Sequence, residues 1–297
     1  MISPYVALDL GCHTARACAL SDERVVACRV HRPGDERCPL LAGVVVDVPA
    51  AGELVADVLH RVRRFTLGGW RAVVCAPSDA SDAERCALLA ALERAGAHPV
   101  AVLPEPLAAA VGAGLEPERW AQLVVDVGHG VTDVGVLRSA ELIASYAMRF
   151  ACGAVQDAVR DAVADRVGLR IHAADAEALC KRLAELRAAG NRPVRVTQGR
   201  DETVAAGTIV AAADEAIETI ARFVGRSVRD LPHEVACEVI ESGITLTGGG
   251  ACLDGLGERV AAATGIAVRV VPQPQSAVIF GARTLARGLR EVGWSEL

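Results

Sequence analysis

The chain is poor in aromatic residues, at 3%, has two methionines, and carries lysine only at Lys181. With so little aromatic surface, the core must be built from alanine, valine and leucine, and 297 residues are enough for two domains. No apolar run reaches the length of a membrane span. The opening MISPYVALDLG lacks a basic stretch followed by an apolar one, so a cytoplasmic protein is expected. Basic excess is missing too: a formal charge of −6 argues against general nucleic-acid binding. The ten cysteines include no C-x-x-C pair. They read as reduced, small core residues rather than a disulfide framework or a zinc site. The shortage of lysine excludes any lysine contact to phosphate except through Lys181.

What is present is an alternation of strands and helices. Strands are expected at Tyr5–Asp9, Val25–Val30, Ala72–Cys75 and Val100–Leu103, with helices over Pro49–Phe65, Asp79–Ala95 and Pro104–Gly114. The second half reads as strand Leu142–Met148, then helices Ala154–Val167, Ala174–Ala188 and Thr208–Arg229, with short strands near Val194–Val196 and Thr203–Ala205. Strand Ile244–Thr247, a helix from Leu253, strand Val268–Val271 and a helix over Ser276–Leu289 follow. The pattern is that of an α/β fold.

Three glycine turns stand out. LVVDVGHGVTDVGVL (123–137) places Gly128-His129-Gly130 between two β-branched runs, which is a tight hairpin preceded by Asp126. Asp9-Leu10-Gly11 begins a similar strand–turn–strand unit, and Thr247-Gly248-Gly249-Gly250 lies between a strand and a helix. Such turns expose rows of backbone N–H groups that suit phosphate oxygens. Two aspartates at strand ends suit a hydrated Mg²⁺, and a helix start after a triglycine favours an anion. Together they describe a nucleotide held between two domains.

The pattern resembles the actin and heat-shock chaperone ATPase superfamily, and within it the MreB/Mbl bacterial actins. The resemblance runs over nearly the whole chain and is carried most specifically by LPEPLAAAVGAGLEPE (103–118), LVVDVGHGVTDVGV (123–136) and VIESGITLTGGGACLDGL (239–256). It implies an actin-like ATPase fold of two related α/β domains around a nucleotide cleft. Domain I would cover 1–137, domain II 138–273 with a helical part at about 152–230, and residues 274–297 a helix returning to domain I. The implied cofactors are ATP or ADP with Mg²⁺. Asp9 and Asp126 match the aspartates that approach the metal, Gly11, Cys12, His13 and Thr14 the first phosphate turn, and Gly128, His129 and Gly130 the second. Gly248, Gly249 and Gly250 match the adenosine-side glycines. Glu105 matches the residue that orients the attacking water, with Thr132 and Asp133 in the same cleft as catalytic companions.

The chain departs from the family in places. Cys12 and His13 stand where small residues, the first a hydroxyl, are usual, and Gly-His-Gly-Val-Thr-Asp replaces Gly-Gly-Gly-Thr-Thr-Glu, so ATPase activity is expected to be weak. The acidic ribose-contacting position falls on Arg182. Between Val30 and Leu40 a subdomain of several dozen residues is reduced to about ten, which removes most of subdomain IB. In RVRRFTLGGWRAVV (61–74), Phe65, Leu67 and Trp70 sit among arginines where the family carries a membrane-touching loop. The resemblance therefore implies a cytoskeletal protein of the inner membrane face that self-associates or co-polymerises with another MreB-like protein and guides cell-wall synthesis and cell shape. Alternatives are a non-hydrolysing adaptor in a wall-synthesis complex and a compact chaperone-like ATPase.

Overall fold

The computed structural model describes residues 4–30, 37–63, 68–116, 120–168, 170–197 and 201–292. The first half supplies β1 (Tyr5–Leu10), β2 (Thr14–Ala19), β3 (Val25–Arg29), the two-residue strands β4 (Leu40–Leu41) and β5 (Val44–Val45), and α1 (Val48–Val62). It continues through β6 (Trp70–Ala76), α2 (Asp82–Arg94), β7 (Ala97–Pro104) and α3 (Glu105–Gly112). The second half begins with the meander β8 (Gln122–Val127), β9 (Thr132–Arg138) and β10 (Glu141–Met148). Helices α4 (Cys152–Val167), α5 (Ala173–Cys180) and α6 (Leu183–Ala189) and the hairpin β11 (Pro193–Thr197) and β12 (Asp201–Ala205) follow. Last come α7 (Ala206–Arg229), α8 (His233–Ser242), β13 (Ile244–Thr247), α9 (Leu256–Thr264), β14 (Val268–Val270) and α10 (Ala277–Val292).

Two five-stranded sheets share one wiring. The first runs β3-β2-β1-β6-β7 and the second β10-β9-β8-β13-β14. In each, an antiparallel meander leads into parallel strands reached by helical crossovers. The pairing assigns the hairpin at 122–138 to the second sheet, so a first domain ending at residue 137 cuts through that sheet. Where the reduced outer element is expected lies the β4–β5 hairpin, whose tip, Ala42–Gly43, has positive φ at both residues as such a tight reversal requires.

Local signals account for most boundaries. Asp47 accepts the Ala50 N–H at the start of α1, and Ser81 with Glu84 forms a capping box on α2. Helix α7 buries Ile209, Ala213, Ile217, Ile220 and Val224, a single stripe at helical spacing. Two expectations fail. The helix expected over Ala174–Ala188 breaks at Lys181–Arg182 into α5 and α6, and α8 lies where no element was foreseen.

Three cores follow from this arrangement. One lies between the first sheet and α1 and α2, another inside the second lobe, and the third joins the lobes through α3 and α10. At that joint Ala7, Val73 and Cys75 meet Ala108, Ala109, Ile279 and Ala282, with Val124 and Leu137 contributed by the second sheet. Helices α3 and α10 cross at Gly112 and Gly281. A Cβ on Gly112 would lie 1.8 Å from the Ala277 carbonyl oxygen, and one on Gly281 1.7 Å from that of Ala108. Trp70, expected at a lipid surface, is 4% exposed and opens β6, where it packs in the first core. Phe65 and Leu67 lie outside the described residues.

A polar contact also spans the lobes. The backbone N–H and hydroxyl of Ser78 both donate to Asp133, at 2.7 and 2.5 Å. Burial raises the Asp133 carboxyl to about 7, against the opposing effect of the two Ser78 bonds, and the Asp126 charge adds to the rise.

Two predictions follow from these contacts. Gly281→Ala should cost on the order of 3 kcal/mol in urea unfolding, because backbone on both sides blocks relaxation. Gly288→Ala, on the same helix with no atom within 4 Å of the added Cβ, should stabilise by about 0.5–1 kcal/mol. Asp133 holds its proton in the folded chain up to about pH 7, whereas in the unfolded chain it ionises near pH 4. Its contribution therefore favours folding at low pH and declines as pH rises through that window, by on the order of 4 kcal/mol. Asp133→Asn should flatten the corresponding slope in unfolding free energy measured from pH 5 to 8.

Candidate functional site

Between the two sheets lies a cleft of about 340 Å³, within the usual range for a small-molecule site. Both central strands, β1 and β8, point their C-terminal ends at it, so each meander delivers an aspartate and then a glycine turn to the same space. Asp9, Gly11, Cys12, His13 and Thr14 line one wall; Asp126, Gly128 and His129 line the other, and Gly248 and Gly249 close a third side. Glu105, the first residue of α3, lies in the floor. Eleven of the expected site residues thus meet in one place.

Four do not face it. Gly130 sits behind Cys12, where a Cβ would lie 2.9 Å from the Cys12 sulfur. Gly250 packs against the Val127 side chain. Thr132 is fully buried and donates to the Phe150 carbonyl at 2.8 Å, while Asp133 is held by Ser78. Neither Thr132 nor Asp133 opens into the cleft, against the expectation that both would stand beside Glu105. The triglycine also differs from a direct helix start. Gly249–Cys252 form a 3₁₀ turn and α9 begins only at Leu256. Gly248 has φ +81°, and a Cβ there would meet the Val127 carbonyl oxygen at 2.3 Å, so glycine lets this turn press against the end of β8.

The charges are unbalanced. Asp9 and Asp126 are 7% and 6% exposed. Burial raises the Asp9 carboxyl, against the pull of Arg16, whose Nη1 lies 3.3 Å away. Burial raises Asp126 to about 6, opposed by the Thr247 hydroxyl, which donates to it at 2.8 Å. Glu105 is pushed well above the usual carboxylate range, first by burial and then by the charges of Asp9, Asp126 and Asp133. Carboxyl oxygens that resist ionising in a polar cleft are donors short of a cation. That chemistry fits Mg²⁺ held by Asp9 and Asp126 through water and completed by phosphate oxygens. No cluster of three or more His, Cys, Asp or Glu side chains suited to a metal forms among the described residues, so an all-protein metal cage is not the arrangement.

Across the cleft mouth the lobes are tied by Glu177 on α5. It meets His13 at 3.5 Å, Arg29 at 3.3 Å and Lys181 at 2.6 Å. Burial would raise its carboxyl, but the Lys181 hydrogen bond and the His13 charge bring it below the usual value. Arg182, expected at the ribose side, instead precedes α6, half-exposed, and pairs with Glu185. The acidic residue of this helical stretch that lines the cleft is Glu177. The two turn histidines are neighbours, His13 and His129 having ring centroids 5.1 Å apart. Burial lowers the basicity of His13, with Glu177 opposing. The Cys12 thiol is raised to about 11 by burial, which keeps it neutral, and it accepts the Gly43 N–H at 2.8 Å.

Arg16, Arg29 and Glu177 were not foreseen in the cleft. Hairpin register gives a signal for the first: five residues after Gly11, Arg16 falls opposite Asp9 on the paired strand.

Comparison with known proteins agrees with the fold. The MreB/Mbl protein family model matches residues 8–293. The cell shape-determining protein MreB of Escherichia coli K12 is 30% identical over 254 residues, 82% of this chain and 73% of that protein. The crystal structure of MreB 5 of Spiroplasma citri bound to AMPPNP superposes with a TM-score of 0.86 at 21% identity, covering 98% of both chains. The MamK double helical filament gives 0.78 at 18% identity, covering 96% of this chain and 99% of that one. With two wired-alike sheets around one cleft and a family match over nearly its full length, the chain belongs to the MreB/Mbl family of actin-like proteins.

Proposed function

We propose that this chain binds ATP with Mg²⁺ between its two lobes and assembles, with itself or with another MreB-like protein, into cytoskeletal filaments that guide cell-wall synthesis and cell shape. The observation that carries the reading is the convergence of Asp9, Asp126, Glu105 and three glycine turns from two separate sheets on one cleft. The relative solved with AMPPNP and the relative solved as a filament support nucleotide binding and self-association respectively.

In this reading the Gly11–Thr14 and Gly128–Gly130 turns present N–H groups to the phosphates, and the Gly248–Gly249 side receives the adenosine. Mg²⁺ supplies positive charge to the phosphoryl oxygens when bound. Asp9 and Asp126 would hold it, and its charge would favour the ionised form of both carboxyls. Glu105 orients the attacking water. Phosphoryl transfer demands mainly positioning and charge stabilisation, and Thr132 and Asp133 are committed elsewhere, so Glu105 works with few companions. Hydrolysis is accordingly slow, and a non-hydrolysing adaptor in a wall-synthesis complex is the second reading. Membrane contact forms no part of the proposal, because Trp70 is buried.

Calorimetric titration with Mg-ATP tests this. The unaltered chain should bind, and Asp9→Ala and Asp126→Ala should each weaken binding by roughly tenfold or more. High-speed sedimentation should show more pelleted protein with AMPPNP than without nucleotide. Binding without sedimentation or phosphate release selects the adaptor; no binding by the unaltered chain removes the ATP-dependent filament reading and leaves the adaptor.

A further inference from the structure

The two sheets are wired alike but charged differently at one position. In the first meander the register sets Asp9 opposite Arg16; in the second it sets Asp126 opposite Asp133. Cross-strand partners share a face of the sheet, so the first hairpin aims an acid and a base at the cleft while the second carries two acids. Asp133 escapes by bonding Ser78 of the other lobe. Arg16 stays: it lines the cleft, its side chain is 20% exposed, and Asp9 is its one partner among the described residues. A guanidinium has five N–H donors in a rigid fork that matches phosphate oxygens. One contact at 3.3 Å, to Asp9, uses only part of that capacity in a side chain that lines the cleft.

We propose that Arg16 is a phosphate-binding residue of this cleft, a built-in cation that neutralises Asp9 when the cleft is empty and contacts the phosphates of a bound nucleotide. The proposal rests on the nucleotide reading above and adds to it that polyphosphate binding depends less on divalent metal than the surrounding acids imply. Without Arg16, three carboxyl groups (Asp9, Glu105 and Asp126) would face an anionic ligand, and the other cations lining the cleft, Arg29 and Lys181, are both paired with Glu177. With it, like-charge repulsion at the Asp9 side is already offset.

Equilibrium titration of the full chain with AMPPNP, in Mg²⁺ and in EDTA, separates this from a merely structural ion pair. The unaltered chain should lose roughly tenfold or less in affinity on metal removal. Arg16→Gln should bind in EDTA at least about tenfold more weakly than the unaltered chain, and Arg16→Lys should fall between them. Equal affinity of Arg16→Gln and the unaltered chain in EDTA overturns the proposal. So does a loss beyond about a hundredfold when the unaltered chain is stripped of metal, a measurement that stands even if Arg16→Gln fails to fold. Failure of the unaltered chain to bind AMPPNP in Mg²⁺ overturns the nucleotide reading itself, and this proposal with it.

Discussion

Everything around the cleft answers to the burial of carboxyl groups at the ends of two central strands. Parallel pairing of β1 with β6, and of β8 with β13, fixes Asp9 and Asp126 where water is largely excluded. An ionised carboxylate in such a place is costly unless it is paired. The chain meets the difficulty differently at each acid. Asp9 takes a guanidinium, Asp126 one hydroxyl, and Asp133 a serine from the opposite lobe. Glu105 is pushed well above the usual carboxylate range by burial and by the neighbouring acids. A cation in the cleft would relieve Asp9, Asp126 and Glu105 at once, so its binding would stabilise the fold.

The same constraint explains the rigidity behind the site. Glu105 begins α3, and α3 crosses α10 at a separation that two glycines alone permit. The alanine-rich joint therefore holds the cleft floor with backbone rather than with bulky side chains, which suits a chain almost without aromatics. Against this firm floor the mouth is closed by charge. Glu177 bridges to His13 and Arg29, groups with partial access to solvent, and contacts of that kind are individually weak. A stiff base with a polar clasp is an arrangement in which a ligand can enter between lobes without disturbing the core.

Much of this was legible from residues alone. Glycine turns after short β-branched strands marked both walls of the cleft, and aspartates just before them marked the strand ends. Strand–helix alternation gave the α/β class. What failed was information held in distant partners. Trp70 sits among arginines in sequence, yet its N–H bonds the Gly96 carbonyl and it opens a central strand, so burial overrides its polar neighbours. Thr132 and Asp133 follow the second turn directly, but Phe150 and Ser78 claim them, contacts that no local pattern announces. The break between α5 and α6 lies inside a continuous helical pattern without glycine or proline. Arg16 was recoverable in principle, since counting outward from the Gly11 turn places it across from Asp9.

The β4–β5 hairpin and the cysteine of the first turn belong to one packing solution. The hairpin brings its Ala42–Gly43 tip down onto both glycine turns of the cleft. The Gly43 N–H donates to the Cys12 sulfur, and Gly130 of the second turn leaves room for the same tip, since a Cβ there would lie 2.9 Å from the Gly43 nitrogen. Arg149 of the second lobe binds the Ala42 carbonyl and pairs with Asp79 at 2.6 Å, clamping the tip from outside. A sulfur is larger than a hydroxyl oxygen and tolerates a less polar setting. It therefore fills the space beside the hairpin and still meets the one backbone donor aimed at it. The hairpin at residues 40–45 and the cysteine of the first turn thus form one local packing arrangement, in which the hairpin braces both walls of the cleft.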